Sequence, residues 1–215
     1  MTKLVILDRD GVINEDRDDF VKSVDEWVAL PGSMDAIAFL NQADFRVVVA
    51  TNQSGIGRGF FTIHDLNEMH AKMHRLVQQA GGQIEAVWFC PHTAADKCAC
   101  RKPLPGMVED ILQRYLNTDP DELYLVGDSL RDLQAIEAVG GQPVLVLTGK
   151  GKKTVADPAT PEDTMVFHDM PIHPGYEISQ DVMEAHLETI LDEAENRRHA
   201  EKGLLVYLIT GKLDW

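Results

Sequence analysis

Asp8 and Asp10 stand one residue apart, directly after the apolar run Leu4-Val5-Ile6-Leu7 and directly before Gly11 and Val12. Two carboxylates so spaced can share a hard cation through oxygen ligands. With a cation beside it, Asp8 stays ionised and can attack an electrophilic phosphorus, giving an aspartyl-phosphate. Asp10 can then give a proton to the leaving oxygen and later take one from water. An ordinary acidic turn at a strand end has the same composition, so the tripeptide alone leaves both readings open.

Three further segments carry chemistry. Thr51-Asn52-Gln53-Ser54-Gly55-Ile56-Gly57-Arg58-Gly59 offers a hydroxyl and then a glycine-rich loop, side-chain and backbone donors suited to a phosphate. Cys90, His92, Cys98 and Cys100 gather every cysteine of the chain and a histidine into one short loop. Four soft or borderline ligands so close suit tetrahedral zinc in a closed, structural site. Arg101 and Lys102 follow at once, so the metal loop would hold two cations in a fixed place. Lys102 is the candidate to bridge the nucleophile and the phosphate oxygens as a point charge. Gly127-Asp128-Ser129 adds a further carboxylate for the cation that Asp8 holds. Asp132 is either a support behind that cation or an acid in the first turn of the next helix.

These groups need a scaffold that brings them together. Short apolar runs at about 4–8, 45–50, 84–89, 123–126 and 143–147 read as strands buried on both faces of a parallel sheet. Between them, Ser33 caps a helix through Leu40, Thr62 caps one to about Gln79, and Pro105 opens one through Leu116. Open α/β sheets take ligands at the carboxyl ends of their strands, where Asp8, Thr51 and Asp128 all fall. The acidic loop from Asn14 to Val28 has Arg17 and Lys22 as its only bases, and Phe20, Val21 and Trp27 can pin it down. It is too short for a helical cap, which leaves the site open. His70 and His74, one helical turn apart, are expected on the surface.

Composition bounds the function. A chain of 215 residues, 44% hydrophobic, can bury one good core with an appendage. A formal net charge of -15 argues against nucleic acid, whose affinity comes mainly from phosphate neutralisation. No run is long enough to cross a bilayer and the first residues lack a signal-peptide pattern, so a cytoplasmic protein is expected. The clustered cysteines do not form a secreted disulfide framework.

Taken together and in order, Asp8-Arg9-Asp10-Gly11-Val12, Thr51, Lys102 and Gly127-Asp128 with Asp132 resemble the four motifs of the haloacid dehalogenase phosphatase superfamily. The resemblance covers about residues 3 to 168 and is closest to its heptose bisphosphate phosphatase branch, through the segment Thr51 to Gly59, the Cys90/His92/Cys98/Cys100 set and Cys100-Arg101-Lys102-Pro103. It implies a Rossmann-like sheet with helices on both faces, no large cap domain and a zinc-stapled loop. It further implies a magnesium-dependent phosphomonoesterase. Asp8 and Asp10 would be catalytic, Asp8, Asp10 and Asp128 would hold magnesium, and Thr51, Asn52, Arg58, Arg101 and Lys102 would bind substrate. The expected substrate is a small phosphorylated sugar in lipopolysaccharide biosynthesis. The related histidinol phosphatase shares the superfamily motifs and a zinc loop, and a non-catalytic sugar-phosphate binder is the alternative outside enzymology. Retention of both Asp8 and Asp10 favours the enzyme.

Residues 1–170 are thus expected to be the phosphatase domain. Residues 171–215 have no part in the resemblance: a Pro/Gly linker precedes an amphipathic helix from Ser179 to Lys202 and an apolar, strand-like run from Leu204 to Ile209. The expected protein is a monomer, or a weak homo-oligomer through this tail.

Overall fold

The computed structural model describes residues 2–167, so the expected tail helix and strand lie outside the described residues. Six strands form one sheet: β1 (Thr2–Leu7), β2 (Phe45–Asn52), β3 (Ala86–Cys90), β4 (Thr118–Gly127), β5 (Gln142–Val146) and β6 (Met165–Phe167). Their order is β3-β2-β1-β4-β5-β6, and every pairing is parallel.

Alternation along the strands decides the two faces. Val5, Leu7, Val47 and Val49 point to one side, where they pack with Ile37 and Leu40 of α1 (Ser33–Gln42) and Leu66, Met69, Met73 and Val77 of α3 (Ile63–Gln79). Leu4, Ile6, Val48 and Ala50 point to the other, against Met107, Val108 and Ile111 of α4 (Gly106–Arg114) and Ala135 and Ile136 of α5 (Leu130–Glu137). A parallel sheet covered on both faces is why these strands read as unbroken apolar runs.

Helix starts follow local chemistry. Thr62 caps α3 as expected, in a reciprocal capping box with Asp65. Ser33 does not cap α1: Gly32, at φ 78°, holds that position, and the Ser33 hydroxyl donates to the carbonyls of Ile13 and Leu30. Pro105 is the cap residue of α4 rather than part of its first turn, and the helix ends at Arg114.

The loop between β1 and α1 folds over the sheet without a helix of its own. Trp27 and Ile13 are fully buried, and Lys72 of α3 donates to the carbonyls of Val24 (2.8 Å) and Trp27 (2.6 Å). The order in which successive strands are laid down reverses between β1 and β4, since β2 and β3 lie to one side of β1 and β4 to β6 to the other. That topological switch point is where an open sheet leaves a crevice.

Candidate active site

Register places the acidic residues at that crevice. Leu7 pairs with Val126 on one side and Val49 on the other. Asp8 therefore emerges beside Gly127, with Asp128 one residue past the end of β4 and Thr51 near the end of β2. The Asp8 amide donates to the Val126 carbonyl at 2.9 Å, which fixes the exit of the chain.

Lys102 enters this cluster from the loop before α4 and is 1% exposed. Its ammonium lies 3.1 Å from Oδ1 of Asp8, 2.5 Å from Oδ1 of Asp132 and 2.6 Å from the Ala50 carbonyl. Three oxygens thus surround the ammonium, so what it can offer a further group nearby is chiefly its charge. Asn52, expected on the phosphate, instead accepts from the Lys102 amide (3.1 Å) and donates to the Lys102 carbonyl (2.9 Å). It docks the lysine loop. Asp132 is the first-turn acid of α5: Oδ2 closes a capping box with Ser129, while Oδ1 faces Lys102.

Oxygens of Asp8, Asp128 and Asp132 lie within 4.8 Å of one another, and all three residues are buried. Burial, reinforced by the neighbouring carboxylates of Asp132, Asp128 and Asp10, outweighs Lys102 and pushes Asp8 up to about 8. Burial likewise raises Asp128 to about 6. Crowded, desolvated acids short of positive charge are a donor set that fits a magnesium ion. Gly11 and Gly149 make the cluster possible. A Cβ on either would collide with Oδ2 of Asp128, and both have positive φ, 83° and 53°. The same turn ties Asp128 down, because the Lys150 amide donates to Oδ2 and the Thr154 hydroxyl to the backbone carbonyl, each at 2.8 Å.

Asp10 is not brought into that cluster. Its Oδ1 accepts from Arg9 (Nε 3.1 Å, an Nη 2.8 Å) and Asn14 (2.9 Å), and its Oδ2 from Arg9 (3.0 Å) and Gln53 (2.8 Å). Burial opposes ionisation, but the Arg9 guanidinium and these donors hold Asp10 below the usual carboxylate range. The carboxylate expected on the cation is therefore bound by protein donors, which favour its ionised form. Sequence reasoning misses Arg9, Asn14 and Gln53 as site residues, although Arg9 lies inside the first motif; an arginine between two acids directly after an apolar strand is the available signal. His70 also departs from expectation: it is buried at 8% exposure, and burial, helped by the Arg9 charge, pushes it down to about 3.

The cysteine loop closes as its spacing suggests. Sulfur atoms of Cys90, Cys98 and Cys100 lie 3.3 to 3.6 Å apart, and Nδ1 of His92 is 3.6 Å from Cys90 and 3.4 Å from Cys100. A tetrahedron with Zn–S bonds of about 2.3 Å has edges of about 3.8 Å, so this donor set fits zinc. Cys90 is the last residue of β3, and its carbonyl accepts from the Gln53 amide at 2.7 Å, which couples the loop to the turn after β2. Arg101 donates to the His92 carbonyl at 3.2 Å. Arg58 is exposed at the end of α2 (Ser54–Gly57).

Comparison with known proteins agrees with this geometry. The family model described as HAD-hyrolase-like matches residues 99–171, and one described as aspartate/ornithine carbamoyltransferase, Asp/Orn binding domain, matches residues 152–208, mostly outside the described residues. D-glycero-beta-D-manno-heptose-1,7-bisphosphate 7-phosphatase of Neisseria meningitidis is 70% identical over 167 residues, 77% of this chain and 89% of the relative. The protein of the same name from Bordetella bronchiseptica is 58% identical over 168 residues, 78% and 93% of the two chains. The crystal structure of the D,D-heptose 1,7-bisphosphate phosphatase from B. bronchiseptica, complexed with magnesium and phosphate, superimposes with a TM-score of 0.75 over 78% of this chain and 93% of that one, at 58% identity.

Proposed function

The chain belongs to the D-glycero-β-D-manno-heptose-1,7-bisphosphate 7-phosphatase family of haloacid dehalogenase-like phosphatases, and on that premise we propose that it removes the 7-phosphate of that sugar bisphosphate through an aspartyl-phosphate. The observation that carries the mechanism is the position of Asp8 at the switch point, 3.1 Å from the Lys102 ammonium and within reach of Asp128. Asp8, Asp128 and their neighbours would hold magnesium, which supplies charge neutralisation for the nucleophile and the phosphoryl oxygens.

Asp8 forms its bond to phosphorus as the bond to the sugar oxygen breaks. Lys102 keeps positive charge at the nucleophile, and the Thr51 hydroxyl donates to a phosphoryl oxygen. Asp10 gives the leaving sugar oxygen a proton, which requires it to arrive protonated on Oδ1 and shed the Arg9 and Asn14 donors there, while Gln53 stays on Oδ2. In the second half it returns to that set as a carboxylate and takes the proton of the attacking water. The substrate rests on the relatives' activity, and with it a role in cytoplasmic synthesis of the heptose of lipopolysaccharide.

Phosphate release from a panel of sugar phosphates and histidinol phosphate, with magnesium or with chelator, tests the reading. Turnover should need magnesium, favour the heptose bisphosphate and vanish in Asp8→Asn. Substantial turnover in that variant excludes the covalent route, and preference for histidinol phosphate excludes the substrate.

A further inference from the structure

Gln53 ties the loop after β1 to the end of β2, on one side of the crevice. Its side-chain nitrogen lies 2.8 Å from Oδ2 of Asp10 and 2.8 Å from Oγ1 of Thr51. The residue is 3% exposed, and its backbone amide is fixed to the Cys90 carbonyl. Arg9 and Asn14, the other donors to Asp10, lie on the same chain segment as that aspartate. Gln53 alone reaches it from the end of β2.

The orientation of the amide follows from its partners. Reversed, it would set its carbonyl oxygen against a carboxylate, so the NH2 group faces Asp10. That group has two protons, one for each acceptor. The consequence falls on Thr51, whose hydroxyl has one proton and two lone pairs. With a lone pair given to Gln53, which cannot accept in return, the Thr51 proton is left for another acceptor at the strand end.

We propose that Gln53 is a positioning residue that holds Asp10 in place and turns the Thr51 proton toward the phosphoryl group, so that acid/base and phosphate-binding groups are set by one side chain. This rests on the phosphatase reading. It does not make Gln53 a catalytic residue, since its amide has no further proton to offer substrate.

Gln53→Glu keeps the shape but removes both donors, and Gln53→Met removes them without adding charge. Each full-length, magnesium-loaded variant is compared with wild type on a sugar phosphate, whose alkoxide needs protonation, and on p-nitrophenyl phosphate, whose phenolate hardly does. Binding of inorganic phosphate is measured separately by titration calorimetry. Loss of a placed acid is expected to lower kcat on the sugar phosphate by about 100-fold and much less on the aryl ester. Loss of one oriented hydrogen bond should weaken inorganic phosphate by about fivefold. Equal losses on both esters with unchanged phosphate affinity would reduce Gln53 to a structural support and overturn the proposal. So would wild-type behaviour of the folded Met variant. A wild-type protein that releases phosphate from neither ester would overturn the phosphatase reading instead, and the phosphate titration still reads the bond to Thr51.

Discussion

The Lys102 ammonium lies 3.1 Å from the Asp8 carboxylate with both groups buried, and the two reach that contact from chain segments 94 residues apart. The pair is held by Asp132 and the Ala50 carbonyl on the lysine side. Removing one partner of a buried ion pair strands the other in a medium that solvates charge poorly. Lys102→Met should therefore cost about 3–5 kcal/mol of stability, read by urea unfolding, and should abolish turnover. A variant as stable as wild type would show that the carboxylates find another counter-charge.

Gly149→Ala tests the tight turn beside Asp128. The added methyl would overlap Oδ2 of Asp128 and stand 2.9 Å from the Gly11 Cα, at a φ of 53°. The left-handed conformation alone costs a non-glycine residue about 1–2 kcal/mol. Displacing Asp128 should in addition weaken magnesium by about tenfold or more, the effect expected when a metal ligand's supporting shell is disturbed. Calorimetric titration with magnesium that finds unchanged affinity would separate the turn from the cation.

Magnesium and pH should be linked. Asp8 titrates near 8 in the fold against its ordinary 3.8, so the folded state binds more protons than the unfolded chain between those values. Stability that Asp8 contributes in the metal-free protein is thus present below pH 4 and is lost as pH rises through 8. Asp128, raised to about 6, adds the same sign over a narrower window. A divalent cation binds the ionised forms, so the rise in melting temperature on adding magnesium should be larger at pH 8 than at pH 6. An equal or smaller rise at pH 8 contradicts the ligand assignment.

Metal analysis of protein purified without chelator should find about one zinc per chain, because four ligands make one closed site. Cys98→Ala should lower stability and turnover together by loosening the loop that carries Arg101 and Lys102. Zinc-free protein with full activity would contradict this.

A chain ending at Gly175 should keep its phosphatase turnover. The sheet and every site residue described lie before that point, and the similarity to the Neisseria relative spans 77% of the chain. Loss of turnover in a truncated protein that remains folded would show that the tail helps to build the site.

Much of the site was determined by sequence alone, because motif spacing on parallel strands converts directly into position. Asp8, Thr51 and Asp128 each end an apolar run, and any parallel sheet delivers strand ends to one edge. The thiolate spacing of Cys90, Cys98 and Cys100 likewise needed no fold to suggest zinc. What tertiary structure decided is which atoms face one another. Sequence puts Asp10 beside Asp8 on the cation, but opposite faces of a turn and a buried Arg9 send its carboxylate to Gln53. Asn52 next to Thr51 reads as a phosphate ligand, yet strand alternation turns it toward the Lys102 backbone. His70 sits on the helix face that packs against the domain, so burial overrides its polar character. Side-chain direction and desolvation depend on residues distant in sequence, and only their packing settles them.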